Sequence, residues 1–408
     1  MKRIIVNGRG PLYGDITVSG SKNAALPIIF SCVLINGISE IDNLPDIGDV
    51  RVALDLLRSF GAVVERRGSL TFIDTRRLSY VKPDEMLVEK IRASTYLVGS
   101  CLSRFGICQL MKFGGCNFSL RPIDMHINAA RSLGANVDDK LITCQRLRGA
   151  EINFDKPSVG ATVNAILLAA SAEGQTIIHG CAVEPHIDAL IDFLNSAGAS
   201  ISRCGREIVV SGRELHGGKI KVIGDMIEAG SYLALSIMTD GKIRTHNSPI
   251  SDMTSVIDAL KKLGADVVCE DDSISALLNG GNYLSLTASP HPGFPTDLQP
   301  IFAPLMAGNM GGEICDTVWE SRFGYLNVLS SFGVKSSVQG NLATIYKSDI
   351  HRASAVCPDL RGGMACLMCA LSVSGQSEIY SAETILRGYE DLENKLSAIG
   401  ADIKIEYY

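Results

Sequence analysis

A glycine-marked repeat of about 68 residues runs through the whole chain and constrains its fold more than any other feature. In each copy, a helical pattern ends in glycine and continues into a short apolar strand. These glycines are Gly61, Gly134, Gly198, Gly264, Gly333 and Gly400, separated by 73, 64, 66, 69 and 67 residues. One sixth of the 408 residues is 68, so six units fill the chain.

A second series of glycines runs out of phase with the first and also closes an apolar helical pattern before a strand. Its members are Gly37, Gly106, Gly174, Gly241, Gly312 and Gly375. Glycine at the C-terminal end of a helix adopts the left-handed conformation at little cost, so we expect that conformation in both series. Each unit is then predicted to hold two helices and about four strands.

The two helices of a unit differ in pattern. One is apolar on nearly every side, as in 24–35 and 364–373, and a helix without a polar face must be buried. The other is amphipathic, as in 49–60 and 253–263, and should keep one face in solvent. A chain of this length favours two domains. We therefore predict an α/β protein with three units per domain, its apolar helices surrounded by sheets and outer helices.

Charged residues open several of the apolar helices. Lys22, Arg92 and Arg361 lie at three of these starts and Asp297 lies at another. Cations at a helix N-terminus oppose the helix dipole, which favours anions there. Each cation alone is most simply a solvated helix start, but three together indicate a bound anion if the helices of a domain run parallel. The net charge of −6 argues against a general nucleic-acid binder but allows a small anionic ligand.

The stretch 112–126 combines a Gly-Gly pair with Cys116 and Arg121. The Gly-Gly pair predicts a tightly turned or mobile loop, and the arginine is a fixed cation that could hold a phosphate or carboxylate. The stretch by itself fits a glycine turn with a buried thiol equally well. A reactive Cys116 could donate a proton or act as a nucleophile, and the spacing does not choose between these roles.

Several other kinds of site are missing from the sequence. It has no P-loop, no GxGxxG after a strand and no HExxH, and its seven histidines are isolated, so we expect no metal site. The single CxxC, at Cys366 and Cys369, lies in an apolar helical stretch and is interpreted as core packing. Without a signal peptide or an apolar run of about 18 residues, the sequence predicts a cytoplasmic protein with no membrane partner.

Seven short segments, in order along essentially the whole chain, form a specific combination. They are 20–27 (GSKNAALP), 91–94 (IRAS), 114–124 (GGC through RPID), 158–162 (SVGAT), 294–299 (FPTDLQ), 359–361 (DLR) and 387–390 (RGYE). Together they resemble the enolpyruvyl transferases that act on UDP-N-acetylglucosamine. The resemblance implies an inside-out α/β barrel of two domains, 21–226 and 1–20 plus 227–408, with the active site in the cleft between them.

The resemblance also implies a reaction. The enolpyruvyl group of phosphoenolpyruvate would be transferred to the 3-hydroxyl of UDP-N-acetylglucosamine with release of phosphate, the first committed step of peptidoglycan synthesis. No cofactor is implied, and we expect a monomer without a nucleic-acid partner. Two alternatives are a paralogue that acts on another uridine nucleotide and a non-catalytic paralogue that binds ligand.

The resemblance assigns roles to the matching positions. Cys116 would protonate the methylene carbon of the enol or form an adduct with it, so the epoxide fosfomycin should alkylate it. Asp297 would take the proton from the sugar hydroxyl. Phosphoenolpyruvate would be held by Lys22, Arg92, Arg121 and Arg387, of which Lys22 and Arg387 also count as catalytic. UDP-N-acetylglucosamine would be bordered by Asn23, Arg92, Arg121, Pro122, Ile123, Asp124, Lys156, Ser158, Val159, Gly160, Asp297 and Val318. Arg322, Asp359 and Arg361 would support the site.

Overall fold

The helices and strands divide between two α/β units in a computed structural model that describes residues 1–115 and 122–408. The unit termed here the C-terminal unit comprises Met1–Ser19 and Gly224–Tyr408. The N-terminal unit comprises Gly20–Gly115 and 122–223. Each unit encloses its own hydrophobic core. Cys116 and Arg121 lie outside the described residues, so their predicted roles remain predictions.

Three four-stranded sheets belong to the C-terminal unit. Their strands, numbered along the whole chain, are β1 (Lys2–Gly8), β2 (Tyr13–Thr17), β14 (Lys242–His246), β15 (Ala265–Glu270), β16 (Ser273–Leu278), β17 (Leu284–Ala288), β18 (Gly312–Asp316), β19 (Lys335–Gln339), β20 (Leu342–Tyr346), β21 (Ser354–Val356), β22 (Gly375–Tyr380) and β23 (Asp402–Tyr407). The strand orders are β21-β22-β1-β23, β15-β16-β14-β2 and β17-β18-β20-β19. The first strands of the chain thus complete sheets whose other strands come from the second half.

The described residues of the N-terminal unit also form three sheets. Their strands are β3 (Ile38–Asp42), β4 (Val63–Arg67), β5 (Leu70–Asp74), β6 (Ile107–Gln109), β7 (Asn136–Asp138), β8 (Leu141–Thr143), β9 (Glu151–Asn153), β10 (Gln175–His179), β11 (Ser200–Cys204), β12 (Glu207–Ser211) and β13 (Lys219–Lys221). The strand orders are β13-β3-β5-β4, β6-β8-β7 and β11-β12-β10-β9.

Five of these six sheets share one topology. In each, one inner strand pairs parallel with an edge strand and antiparallel with the other inner strand, which pairs antiparallel with the second edge. Strand β22, for example, is parallel to β21 and antiparallel to β1, with Arg3 opposite Tyr380 and Gly8 opposite Gly375. In the described residues the sheet β6-β8-β7 has no parallel edge strand. The recurrence confirms the predicted α/β fold, with three copies of the repeat in the N-terminal unit and three in the C-terminal unit.

The helices follow the two predicted types. They are α1 (Lys22–Ser31), α2 (Gly48–Ser59), α3 (Glu85–Val88), α4 (Leu97–Phe105), α5 (Asp124–Ser132), α6 (Val159–Ala170), α7 (Pro185–Ser196), α8 (Met226–Met238), α9 (Thr254–Leu263), α10 (Gln299–Gly308), α11 (Tyr325–Leu329), α12 (Leu360–Leu371) and α13 (Leu392–Ala398). Short 3-10 helices span Cys32–Leu34, Arg92–Tyr96, Ile250–Met253, Ser330–Phe332 and Ala382–Arg387.

Helices α1, α4, α6, α8, α10 and α12 are buried over most of their length, and every residue of α12 is buried, including Cys366 and Cys369. Amphipathic helices such as α2 and α9 bury one face only. Sheets and amphipathic helices therefore supply the solvent-facing surface of each unit. None of the helices in the described ranges is long and apolar enough to cross a membrane.

The first glycine series adopts the predicted conformation. All six members have positive φ: Gly61, Gly134, Gly198, Gly264, Gly333 and Gly400 lie between 88° and 106°. Each therefore ends its helix by turning the backbone through a region that residues with a Cβ rarely occupy. The prediction is therefore confirmed in all six repeats.

The second series follows the prediction only in part. Gly106, Gly174 and Gly375 have positive φ. For Gly37, Gly241 and Gly312 the prediction is wrong, since their φ values are not in the left-handed region. Another backbone segment passes close to them instead. A Cβ on Gly241 would overlap the carbonyl oxygen of Leu12, and one on Gly312 would overlap that of Leu284. Glycine is needed there because a neighbouring backbone segment approaches too closely for any side chain.

Candidate active site

Two buried arginines hold the carboxylate of Asp297 in the C-terminal unit. Nη2 of Arg322 lies 2.7 Å from Oδ1 of Asp297. Nε and Nη2 of Arg361 each donate to Oδ2 of Asp297 over 3.2 Å. The arginine side chains are only 6% and 2% exposed, whereas that of Asp297 is 27% exposed. The carboxylate is thus the member of the trio that solvent or a ligand can reach.

The backbone at the start of α12 places Arg361. The carboxylate of Asp359 caps this helix and accepts the backbone N–H of Arg361 at 2.9 Å and of Gly362 at 3.0 Å. The guanidinium of Arg361 lies over the ring of Tyr389, 5.4 Å from its centroid. The Tyr389 hydroxyl lies 2.8 Å from Oγ of Ser231, which belongs to α8. A cap and an aromatic platform therefore fix this arginine on two sides.

The charge of Arg361 is stabilised by its neighbours. Burial alone would lower the pKa of this guanidinium, but Tyr389 and the carboxylates of Asp297 and Asp225 outweigh burial and raise it above its usual value. Asp225 caps α8 by accepting the N–H of Ile227 at 2.8 Å. Arg361 in the first turn of α12 contacts Asp297, which lies just before α10, and its platform Tyr389 contacts Ser231 of α8, so the starts of these three helices lie near one another.

Thr296 and Asp316 extend this cluster, and sequence reasoning gave neither a role. Nη1 of Arg322 donates to Oγ1 of Thr296 at 3.0 Å, and that hydroxyl donates to Oδ2 of Asp316 at 2.6 Å. Oδ1 of Asp316 accepts the backbone N–H of Val318 at 2.9 Å. Val318, a predicted substrate contact, is therefore held by the same network. The only sequence feature that could have indicated a role for Thr296 is its position directly before Asp297.

The remaining predicted residue of this unit is Arg387. It is half-buried and ends the 3-10 helix Ala382–Arg387, two positions before the buried Tyr389. Its neighbour Gly388 allows the segment to pack closely, since a Cβ there would lie 2.7 Å from Cδ1 of Leu360. Arg387 is thus carried by a segment that packs against the start of α12.

The N-terminal unit carries Lys22 and Arg92. Lys22 is the first residue of α1, and its Nζ lies 3.6 Å from Oδ2 of Asp49, a buried residue in the first turn of α2. Asn23, beside it, is half-buried. Arg92 opens the 3-10 helix before α4 and is half-buried, which lowers its pKa.

These contacts qualify the argument made from helix dipoles. From the sequence, a ligand anion was expected to balance the cations at the helix starts. In the structure Asp49 balances Lys22 and Asp297 balances Arg361, so carboxylates of the chain supply part of that balance. The helix dipoles therefore do not by themselves require a bound ligand at Lys22 and Arg361.

The start of α6 is built around His126. Nδ1 of His126 lies 2.7 Å from Nδ2 of Asn164, and burial, with a smaller contribution from Arg92, lowers the pKa of the imidazole to about 4. The ring is therefore neutral at pH 7. Since Nδ1 accepts from the amide, the proton is assigned to Nε2. A Cβ on Gly160 would lie 2.9 Å from Cε1 of this ring, so glycine is what allows the imidazole to approach the helix start.

The other predicted residues of the N-terminal unit are half-buried or exposed. Pro122 and Asp124 are exposed and Ile123 is half-buried at the start of α5, while Lys156 is exposed. Ser158, Val159 and Gly160 are half-buried, and Oγ of Ser158 accepts the N–H of Ala161 at 3.4 Å. Within residues 1–115 and 122–408, no group of three or more His, Cys, Asp or Glu side chains is arranged to hold a metal ion.

Solved structures define the class to which this fold belongs. The enolpyruvyl transferase NikO from Streptomyces tendae matches with a TM-score of 0.90 over 99% of both chains, at 24% identity. EPSP synthase from Acinetobacter baumannii matches with a TM-score of 0.73 over 100% of both chains, at 18% identity. At such identities the likeness concerns the fold, which is that of the enolpyruvyl transferases.

Sequence comparison then gives the family. Residues 6–396 match the family model described as EPSP synthase (3-phosphoshikimate 1-carboxyvinyltransferase). A relative from Halothermothrix orenii, named UDP-N-acetylglucosamine 1-carboxyvinyltransferase, is 36% identical over 412 residues, 99% of each chain. A relative of the same name from Vibrio vulnificus is 37% identical and covers 98% of this chain and 97% of its own. The chain belongs to the EPSP synthase family and, within it, to the UDP-N-acetylglucosamine 1-carboxyvinyltransferases.

Proposed function

We propose that this protein transfers the enolpyruvyl group of phosphoenolpyruvate to the 3-hydroxyl of UDP-N-acetylglucosamine and releases phosphate. Relatives 36–37% identical over nearly the full chain carry the name of this activity, which is the main support. The reaction would be the first committed step of peptidoglycan synthesis. The arginine-held, partly exposed carboxylate of Asp297 is the structural feature that carries the chemical part of the proposal.

In the proposed addition step, the oxygen of the sugar 3-hydroxyl bonds to C2 of phosphoenolpyruvate while Asp297 accepts the proton of that hydroxyl. The methylene carbon C3 gains a proton at the same time, and Cys116 is the proposed donor. Arg322 and Arg361 orient the Asp297 carboxylate, which matters because proton transfer requires the base within hydrogen-bond reach of the hydroxyl. In the elimination step, the Cys116 thiolate takes a proton from C3, the bond from C2 to the phosphate oxygen breaks with release of phosphate, and the C2–C3 double bond re-forms. Asp297 then gives up its proton to solvent.

The proposal gives the cations the task of holding phosphoenolpyruvate, whose phosphate and carboxylate together carry close to three negative charges. Lys22, Arg92, Arg121 and Arg387 are assigned to these groups. Guanidinium groups suit this task because they stay charged and bind phosphate or carboxylate oxygens in pairs. Lys22 contributes an ammonium that is mostly buried, which strengthens its interaction with an anion.

The start of α6 is assigned to the sugar nucleotide, together with Asn23, Lys156 and residues 122–124. Free N–H groups in the first turn of a helix favour a diphosphate. In this structure the first residues of α6 are half-buried, and the ring of His126 lies close to Gly160 in that turn. The uncharged state of His126 means that its Nε2–H is an available hydrogen-bond donor beside that turn.

A phosphate-release assay tests the proposal. Phosphoenolpyruvate is offered with UDP-N-acetylglucosamine, UMP or shikimate 3-phosphate side by side, and products are weighed by mass spectrometry. Of the three acceptors, we expect only UDP-N-acetylglucosamine to give phosphate and an enolpyruvyl product. Asp297→Asn should abolish release, whereas the exposed carboxylate variant Asp258→Asn should match the wild type. Activity confined to UMP or to shikimate 3-phosphate, or no release with any acceptor, would contradict the proposal.

A further inference from the structure

Thr296 lies between the arginine that holds Asp297 and a second, deeply buried carboxylate. Nη1 of Arg322 donates to Oγ1 of Thr296 at 3.0 Å, and Oγ1 donates to Oδ2 of Asp316 at 2.6 Å. Nη2 of the same guanidinium lies 2.7 Å from Oδ1 of Asp297. A guanidinium only donates and a hydroxyl carries one proton, so the direction of both hydrogen bonds is determined. The chain of contacts runs from Asp316 through Thr296 and Arg322 to Asp297.

Asp316 anchors the far end of this chain. It ends β18 and is almost fully buried. Oδ1 accepts the backbone N–H of Val318 at 2.9 Å and of Trp319 at 3.0 Å. Oδ2 accepts Nε2 of Gln299 at 3.4 Å in addition to the Thr296 hydroxyl. With donors on both oxygens, this carboxylate has little freedom to turn, so Thr296 meets an acceptor at a fixed point.

Gln299 ties the same elements together a second time. Its Nε2 also donates to the backbone oxygen of Arg322 at 3.1 Å, and its Oε1 accepts the hydroxyl of Tyr325 at 2.6 Å. Both Gln299 and Tyr325 are buried. The backbone of Arg322 is thus held by Gln299 and one tip of its side chain by Thr296, which leaves the other tip directed at Asp297.

We infer that Thr296 and Asp316 are positioning residues for Asp297, acting through Arg322 without touching the substrate. Thr296 sets the orientation of the Arg322 guanidinium, and Asp316 sets the orientation of Thr296. The inference rests on the proposed function, in which Asp297 takes the proton from the sugar hydroxyl. Loss of the Thr296 hydroxyl would let the guanidinium turn and carry the base away from its position, and sub-ångström misplacement of a base is costly.

The test compares Thr296→Val with Thr296→Ser. Valine keeps the shape of threonine and removes the hydroxyl, whereas serine keeps the hydroxyl and removes a methyl group. We expect kcat for phosphate release to fall roughly 10- to 100-fold in Thr296→Val, the loss typical of one hydrogen bond to a charged group. Thr296→Ser should stay within about threefold of the wild-type kcat, since the hydrogen-bond chain is kept.

A structural role and a positioning role differ in what else changes. We expect the KM for UDP-N-acetylglucosamine in Thr296→Val to stay within about threefold of wild type, because the affected interaction matters when the proton moves. The dissociation constant of UDP-N-acetylglucosamine, measured by calorimetry, should change as little. Asp316→Asn is expected to lower kcat similarly, and the double variant should lose no more than the worse single variant, because the two residues act in series.

The outcomes separate this inference from the proposed function. Wild-type kcat in Thr296→Val would overturn the inference, and so would a kcat in Thr296→Ser as low as that in Thr296→Val. Weaker UDP-N-acetylglucosamine binding and a lower melting temperature in step with kcat would also overturn it, by showing a structural defect. If Asp316→Asn fails to fold, the two Thr296 variants still decide. Absence of phosphate release by the wild type would instead refute the proposed function.

Discussion

Substitution of Lys395 by methionine should destabilise the C-terminal unit, because it leaves a carboxylate unpaired in the core. Glu228, in the first turn of α8, is 2% exposed, and its Oε1 lies 2.7 Å from Nζ of Lys395. Its Oε2 accepts the backbone N–H of Ser19 at 2.9 Å, and Nζ of Lys395 donates to Oγ of Ser19 at 2.6 Å. Methionine keeps much of the apolar stem of lysine, so the main change is the loss of charge.

The size of the effect follows from burial. Removing one partner of a buried ion pair typically costs about 3–5 kcal/mol, because the other charge remains without compensation. For a unit of about 200 residues, each kcal/mol lowers the melting temperature by about 2–4 °C. The melting temperature of Lys395→Met should therefore fall by roughly 6–20 °C at pH 8.

The effect should also depend on pH in a defined direction. Burial raises the pKa of Glu228 above its ordinary value of 4.5, and Lys395 opposes that rise. A carboxyl group with a raised native pKa destabilises the fold increasingly as pH rises from its unfolded to its native pKa. Without Lys395 the native pKa of Glu228 rises further, so Glu228 destabilises the variant over a wider range of pH. The loss of stability should be smaller at pH 5 than at pH 8.

Thermal melts followed by circular dichroism at pH 5 and pH 8 measure both expectations. The double variant Glu228→Gln/Lys395→Met removes both charges and should recover most of the lost stability. Lys404→Met serves as a surface control, since Lys404 is 70% exposed in its pair with Glu406 and such pairs contribute less than about 1 kcal/mol. A Lys395→Met melting temperature within about 2 °C of wild type at pH 8, or a larger loss at pH 5, would refute the reasoning.

Three further predictions concern the proposed site and the helix packing. Lys22→Ala should abolish phosphate release, and full activity would contradict its assignment to the substrate anion; the melting temperature is recorded alongside because Lys22 also pairs with Asp49. Fosfomycin with UDP-N-acetylglucosamine should add one inhibitor mass to Cys116, and an unchanged intact mass would count against the proposed thiol. Gly99→Ala should destabilise by about 1–3 kcal/mol in urea melts, since its Cβ would lie 2.8 Å from Oδ1 of Asn164. Gly324→Ala, with open space around it, is the matched control and should be close to neutral.

The repeat was predictable because one physical requirement, a left-handed residue at the end of a helix, recurs at six regular positions. The second series shows the limit of that reasoning. Gly106 meets the same requirement, but Gly241 is glycine because the carbonyl oxygen of Leu12 occupies the space of a Cβ. A sequence shows only that a side chain is missing. Whether a dihedral angle or crowding requires the glycine depends on which backbone segment passes nearby, and Leu12 is more than two hundred residues away from Gly241 in the sequence.

Some residues of the candidate site could likewise be predicted from the sequence and others could not. The helix starts that carry Arg361 and Asp297 could be read from the pattern of apolar helices, because each start is a local feature. The partners could not, because Asp316 reaches Thr296 only where the end of β18 meets the start of α10. The resemblance therefore gave a supporting role to Arg322 and Arg361, which hold Asp297, but none to Thr296 and Asp316, which hold Arg322.

The charges of the Asp297 cluster bear on when the proposed base can act. Arg322 and Arg361 place two positive charges on one carboxylate, and both guanidinium groups are almost fully buried. When Asp297 accepts a proton, these guanidinium groups lose its compensating charge in a region of low dielectric, which is costly. A nearby anion with several charges would offset that cost. In the proposed function phosphoenolpyruvate is that anion, so we expect the proton transfer to be favourable only once phosphoenolpyruvate is bound. Deprotonation of the sugar would then be coupled to occupancy by phosphoenolpyruvate.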